Sequence, residues 1–523
     1  MNLVARISTQ LGIGHLMRTK WLLLELQQLG AQITLLLDEN GKELSAFYTE
    51  LACEVEIIKS TFCDEQITAE IIKRVGADYL LIDHYDLGFS FEGYIRHSVA
   101  CQIIVLDDLA RKHDCDYLID AKWDGELTQS RYENKLPRHC QQFLGPDYAL
   151  LSEQYIDVVQ TNFENESELR VMCSMGGGGD MLTWITLIQA HQRSCAQSIN
   201  FVVIVGPQAK NISELKRFAS VHSNIQLIEN PKSLAPFYKS ASLFIGALGT
   251  SLYELAALKV PAITFSIAPN QKNDILALEA LGHYFHLDSL SIQDAVKLGE
   301  NLSVFLHNIN RLKQLRDFAQ VKVDGLGVKR IAAKLMESDF CEPASHELTC
   351  DNIEKEVLSG GFSVRKVADS DVNRYLIARN LPNNADKMTI SKEIPRLGHY
   401  IWWLSNQRQS FVVEKEGVPV IYIWHDLYTD KYLYGGWFTC EGDVSLPEAM
   451  LALQWQLKHC KQVYPNATWL AVIHKENRFV NLLNQYMGFK TTPASSDAYL
   501  STKAIFPYAN EKFNFVMLEN NEE

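Results

Sequence analysis

A histidine behind a pair of glycines is the first residue of this chain that stands where a proton could be moved. Gly12-Ile13-Gly14-His15-Leu16-Met17-Arg18 follows a short apolar run and opens a helical pattern. Gly12 and Gly14 let the backbone turn tightly and approach a ligand. A helix N-terminus offers free N–H groups to an anion, and an imidazole there can take or give a proton near neutral pH. A ligand-free strand-to-helix turn is the plain alternative, and spacing alone does not separate the two. Met175-Gly176-Gly177-Gly178-Gly179-Asp180 is a second such turn. Four consecutive glycines cost conformational entropy that an ordinary turn does not require. Close approach of a ligand at Gly176 and Gly177 is favoured over a flexible linker.

A third turn is Gly246-Ala247-Leu248-Gly249-Thr250-Ser251-Leu252-Tyr253-Glu254. Thr250 and Ser251 can cap the helix that follows. Glu254 lies one turn further in, where it could accept hydrogen bonds from a diol or stand as a solvated surface acid. Pro269-Asn270-Gln271 supplies amides at the same edge, and Asp83-His84-Tyr85 and Asp107-Asp108 each end an apolar run. No Asp-x-Asp triplet is suited to a metal-bridged diphosphate, because Asp114 and Asp116 sit just before a strand. A metal-free site is expected.

These groups need a scaffold that brings strand ends together. Short apolar runs at Leu3–Ile7, 32–37, 79–82 and 102–106 alternate with helical patterns such as Leu16–Leu29, which stops at Gly30. Such alternation predicts a parallel sheet covered by helices. The pattern restarts at 169–174 and continues through 262–265. An α/β fold is therefore expected, with two Rossmann-like domains (1–155 and 156–340) and a cleft at the carboxyl ends of their strands. Residues 341–361 read as a linker. Residues 362–505 follow an α+β order, with strands at 411–414, 418–424, 432–438 and 468–473 around a helix at 447–460.

The bulk numbers agree with several soluble domains: 523 residues, 47% hydrophobic and 21% charged. A net charge of -14 argues against nucleic-acid or anionic-membrane partners. Eleven scattered Cys without a C-x-x-C pair, and neither a signal-peptide pattern nor a membrane-length apolar run, lead to the expectation of a cytoplasmic protein with reduced thiols.

Taken together, residues 10–18, 81–85, 106–110, 113–120 and 144–151, with the glycine run and the 246–271 region, resemble a known family. It is the UDP-2,4-diacetamido-2,4,6-trideoxy-β-L-altropyranose hydrolase of the pseudaminic acid pathway, related to GT-B glycosyltransferases. The resemblance spans about residues 1–340. It implies a GT-B arrangement, a UDP-sugar substrate and no cofactor. It implies His15 as catalytic acid or base, with Gly12, Gly14, Arg18, Asp83, His84, Tyr85, Gly176 and Gly177 in the binding site. It further implies that Thr250, Ser251 and Leu252 face the diphosphate, Glu254 holds the ribose, and Asn270 and Gln271 lie near the sugar. One departure stands out: Val4 and Arg6 occupy the places of the family's Arg-x-Asp, so a base replaces the acid.

Residues 362–505 resemble GNAT acyltransferases more loosely, through 399–403 and 475–489. That likeness implies Tyr486 as a catalytic acid and acetyl-CoA as donor. Where GNAT enzymes carry Gln/Arg-x-x-Gly-x-Gly/Ala, this chain has Thr439-Cys440-Glu441-Gly442-Asp443-Val444. The expected function is hydrolysis of a UDP-linked diacetamido-trideoxyhexose to free sugar and UDP, with a fused N-acetyltransferase-like module. A glycosyltransferase using a UDP-sugar donor and a non-catalytic sugar-nucleotide scaffold remain as alternatives.

Overall fold

Leu3, Val4, Ala5, Arg6 and Ile7 show no polar alternation because both faces of their strand are covered. In the computed structural model this strand lies in the interior of a seven-stranded parallel sheet. Residues 1–8, 13–39, 48–58, 63–156, 169–195, 199–249, 251–267, 274–339 and 353–519 are described here, without the side chains of 13–15. The described chain forms two compact units, Met1–Thr349 and Cys350–Glu523.

The first sheet comprises β1 (Asn2–Ile7), β2 (Gln32–Asp38), β3 (Glu54–Ile58), β4 (Tyr79–Asp83), β5 (Gln102–Leu106), β6 (Tyr117–Asp120) and β7 (Gln141–Leu144). Their order is β3-β2-β1-β4-β5-β6-β7. The second comprises β8 (Arg170–Ser174), β9 (Asn200–Val205), β10 (Ile225–Glu229), β11 (Leu243–Ala247), β12 (Ala262–Phe265) and β13 (Phe285–Leu287), in the order β10-β9-β8-β11-β12-β13. Both follow the 3-2-1-4-5-6 order of a doubly wound sheet, so each has a switch point at its first strand, where ligands bind in such folds. The expected pair of Rossmann-like domains is what the first unit contains.

Helices cover these sheets, among them α1 (Ile13–Gln28), α2 (Asp64–Val75), α3 (Phe89–Ser98), α4 (Leu182–Ser194), α5 (Ser251–Ala257) and α6 (Gly327–Leu335). The last of them departs from the expected division at 156–340. Its apolar stripe of Val328, Ile331, Ala332 and Leu335 is buried in the core of the first sheet, with Leu16, Leu23 and Leu26 of α1. The chain therefore returns to the first half after building the second. Gly327 permits this crossing: a Cβ there would lie 2.4 Å from the carbonyl oxygen of Ala149. Trp123 ties the halves again, donating its backbone N–H to Tyr253 Oη and its indole N–H to the carbonyl of Ala277, both at 2.9 Å.

The second unit carries β14 (Lys355–Val357), β15 (Phe362–Lys366), β16 (Gln409–Lys415), β17 (Val418–Tyr428), β18 (Tyr432–Thr439), β19 (Thr468–His474), β20 (Lys490–Thr491) and β21 (Phe513–Leu518). Its sheet order is β14-β15-β16-β17-β18-β19-β21-β20. It reaches beyond both ends of the expected 362–505 module, since β14 lies in the stretch read as linker and β21 follows residue 505. Every pairing is antiparallel except β18 with β19, which run parallel and pair only from Tyr432–Thr468 to Tyr434–Leu470 before parting. The helices used below are α7 (Val372–Asn380), α8 (Arg396–Ser405), α9 (Leu446–Val463) and α10 (Arg478–Tyr486).

Candidate functional site

The carboxyl ends of the first sheet carry a row of carboxylates, and each has an arginine. Arg18, one turn into α1, pairs with Asp83 Oδ1 at 2.6 Å and reaches Asp108 Oδ2 at 3.4 Å. Thr19 donates to Asp83 at 2.7 Å, and Tyr85 donates to Asp108 at 2.5 Å. Burial opposes the charge of Arg18, but Asp83 and Asp108 outweigh it and raise its pKa. Burial and the Asp108 carboxylate likewise hold the Tyr85 phenol protonated. This cluster brings Arg18, Asp83 and Tyr85 together and fixes the start of α1 against β4 and β5.

Arg6 answers the departure in the Arg-x-Asp motif. Its side chain is 1% exposed and lies between Asp38, at the end of β2, and Asp64, which begins α2. The contacts are 2.5 and 2.7 Å from Nη2, and Nε donates to both Asp64 oxygens at 3.2 Å. Burial would lower the Arg6 pKa, yet the two carboxylates raise it. His84 is buried beside this group, its Nδ1 accepting from the Asp86 N–H and its Nε2 lying 3.5 Å from Asp38. Asp38 and Asp64, on adjacent elements, thus hold the base that stands in place of the acid on β1.

Further along the rim, Arg111 pairs with Asp107 at 2.8 Å and Arg131 with Asp120 at 2.9 Å. His113 is fully buried, with Nδ1 2.6 Å from Glu92 and Nε2 3.5 Å from Asp107. Burial would neutralise this imidazole, but Asp107 and Glu92 prevail and lift its pKa to about 9. His113, Glu92 and Arg131 were not singled out as site residues from the sequence. Only their long-range pairing marks them.

The second sheet presents backbone where the first presents charge. Gly176 and Gly179 have φ of 66° and 98°, which favour glycine, and a Cβ on Gly179 would meet the Met175 side chain at 2.3 Å. Gly177 is different, with open space around a Cβ placed there. Its carbonyl accepts from the Gln208 N–H at 2.8 Å. Gly206, after β9, packs so closely that its Cβ would lie 2.3 Å from the Gly176 carbonyl oxygen. The glycine run is therefore partly a packing device and partly an open edge.

Glu254 stands on α5 and is not a solvated surface acid. Tyr155 donates to its Oε1 at 2.8 Å and Tyr238 to its Oε2 at 3.3 Å. Burial raises its pKa to about 7 against those two hydrogen bonds. Tyr238 also donates to Ser251 Oγ at 3.0 Å, and Leu252 is buried beside them. Tyr155 comes from the end of the first half, so this cage joins both halves. Gly12, Thr250, Asn270 and Gln271 lie outside the described residues. Gly14 and His15 lie in the first turn of α1, with side chains outside the description. Among the described residues no cluster of His, Cys, Asp and Glu is arranged to hold a metal, and no helix is long and apolar enough to cross a membrane.

In the second unit Tyr486 ends α10 and is 74% exposed, away from the cavity that opens between β18 and β19. A donor such as acetyl-CoA would need a diphosphate site at the turn after β18 and the start of α9. The residues do not fit one. Glu441 and Asp443 occupy the turn, Pro447 removes an N–H from the first turn, and Ser445 with Glu448 closes a capping box over the helix end. No acyl-transfer step follows from this geometry.

Fold and site define a unit of two Rossmann-like halves, with polar strand ends in both, followed by an α+β unit. No protein-family model matches the chain. Over 276 residues it is 24% identical to the UDP-2,4-diacetamido-2,4,6-trideoxy-beta-L-altropyranose hydrolase of Campylobacter jejuni, a match covering 53% of this chain and 94% of that protein. It is 22% identical over 293 residues to the pseudaminic acid cytidylyltransferase and UDP-2,4-diacetamido-2,4,6-trideoxy-beta-L-altropyranose hydrolase of Helicobacter pylori, covering 56% of this chain and 48% of that protein. Among solved structures, Acinetobacter baumannii MurG is similar at 13% identity and a TM-score of 0.46, over 64% of this chain and 99% of that one. The likeness read from the motifs is thus matched by curated relatives bearing that name.

Proposed function

We propose that the first unit hydrolyses a UDP-linked diacetamido-trideoxyhexose to free sugar and UDP, a step of nonulosonic acid biosynthesis. One observation carries the reading. Asp83 and Tyr85 at or just after the end of β4 with Arg18 of α1, and Gly176 and Gly177 after β8 with Glu254 of α5, stand within one two-sheet unit. Similarity over nearly the whole Campylobacter relative supports the same substrate class.

In this reaction the bond between sugar and diphosphate breaks, the water hydroxyl stays with one fragment and its proton with the other. His15 accepts the water's proton. Arg18 is neutralised by Asp83 and Asp108, so it holds the helix that carries His15 rather than the substrate's charge. The diphosphate lies along the open backbone edge at Gly177 and the start of α5, where N–H groups stabilise the departing charge. Glu254, caged by Tyr155 and Tyr238, receives the ribose diol. No cofactor is required.

Turnover in heavy-oxygen water without any acceptor tests this. Hydrolysis places one labelled oxygen in either the sugar or UDP. Unlabelled products, or product only when an acceptor hydroxyl is added, would assign the unit to glycosyl transfer. Binding without product would assign it to a scaffold.

A further inference from the structure

The cavity of the second unit encloses about 470 Å³, a size suited to a small organic ligand. In a chain of net charge -14, its wall contains Arg379, Lys387 and Arg408 and no Asp or Glu, although Lys387 pairs at 3.8 Å with Glu476 outside the wall. The Arg408 guanidinium is 4.8 Å from the Trp402 ring centre and 4.1 Å from that of Trp424. It donates to Tyr375 Oη at 2.9 Å, while its buried Nε has no hydrogen-bond partner. Arg379, on α7, is 8% exposed and donates to the Ile390 carbonyl and the Asn380 side-chain oxygen, both neutral.

Among the described residues neither guanidinium is paired with a carboxylate. Elsewhere Arg6 is paired with Asp38 and Asp64 and Arg365 with Asp371 and Glu414, whereas buried Arg316 lies against the neutral His283 ring. Cations removed from water without a counter-charge are costly, and desolvation alone lowers the pKa of Arg379. A guanidinium held by aromatic faces is also pre-oriented for forked bonding to a planar oxyanion.

We propose that this cavity binds a ring-bearing organic oxyanion, a phosphate ester or a carboxylate, held at Arg408 with Arg379 and Lys387 in the same wall. The ring lies among Trp402, Trp424 and Trp437. No residue of the acidic turn after β18 lines the cavity, so the ligand is oriented differently from one anchored at the start of α9. This inference does not rest on the reading of the first unit.

Hydrogen exchange of the full chain, resolved by peptide, tests it with UDP, coenzyme A and D-glucuronate as probes and D-glucose as neutral control. At least one anion is expected to slow exchange in peptides spanning 396–408 and 435–438. UDP or coenzyme A would mark a phosphate source, and glucuronate a carboxylate source. Arg408→Gln is expected to weaken that binding about tenfold or more, and Arg379→Gln, on α7, to weaken it too. Ligand-free exchange of the same peptides checks that each variant is folded, and Arg408→Lys replaces Arg408→Gln if it is not. Protection confined to the first unit, protection by glucose equal to that by the anions, no protection by any probe, or unchanged binding in folded variants would each overturn the proposal.

Discussion

The two halves of the first unit share a strand order and differ in what their strands end on. In the first half Asp38, Asp83, Asp107 and Asp120 stand at or just after strand ends, each against an arginine. In the second half the corresponding edge is glycine backbone and a glutamate caged by two tyrosines. The same scaffold therefore offers a pre-formed charge lattice on one side and a glycine edge with open space at Gly177 on the other. A charge lattice fixes side chains and resists change, whereas an open backbone edge tolerates change until a ligand arrives.

The sharpest way to break this contrast is Arg6→Asp. It restores the acid of the family motif but sets a third carboxylate between Asp38 and Asp64. A buried ion deprived of its partner costs about 3–5 kcal/mol, so chemical denaturation should show a loss of that order or no folded first unit. A stable, active variant would mean that Arg6 is not the centre of the lattice.

His113 gives the next largest effect. Its pKa is lifted from 6.5 to about 9 by Asp107 and Glu92, against burial. The stability it contributes is complete below pH 6.5 and is lost as pH rises through about 9. It amounts to roughly 3 kcal/mol, less whatever relaxation returns. His113→Gln should flatten the thermal-melting profile between those values, and an unchanged profile would remove His113 from the lattice.

In the second half, Gly179→Ala and Gly177→Ala should separate. The first forces a left-handed backbone and a clash with Met175, costing about 1–3 kcal/mol. The second meets open space and should change stability by less than about 0.5 kcal/mol while raising KM for the UDP-sugar. Equal effects of the two on stability would contradict the division into packing glycine and open edge.

Glu254 offers a smaller test of opposite chemistry. Burial raises its pKa to about 7, so the folded state favours the neutral acid. That contribution is complete below about pH 4.5 and is lost as pH rises through about 7. Because Glu254 is only half-buried, the effect should be about 1–2 kcal/mol. Glu254→Gln should retain at neutral pH the stability that the native acid loses.

Much of this was legible in the residues. The β-strand runs from Leu3, Gln32, Tyr79 and Gln102 were readable because buried parallel strands are continuously apolar. The turn at Gly176 marked a strand end because it separates a strand pattern from a helical one, whereas Gly246 lies inside β11. What was hidden depends on distance along the chain. Arg6 looked like a lost acid, since Asp38 and Asp64 cannot be seen beside it in sequence. Glu254 looked like a possible surface acid until Tyr155 and Tyr238 closed on it. The apolar side chains of Gly327–Leu335 belong to the first core, which no local pattern discloses because their partners on α1 lie far earlier in the chain. The edge strand β14 escaped because three residues carry little periodicity, and β21 because the expected module stopped before it.

The central claim is hydrolysis by the first unit with His15 as the proton-transfer group. The most direct measurement incubates the purified chain with the UDP-linked diacetamido sugar, without acceptor, and follows UDP and free reducing sugar beside His15→Ala. The account predicts equimolar release of both by the native protein and a loss of at least about a hundredfold in the variant. Binding of the UDP-sugar without release, or equal release by the variant, would contradict it.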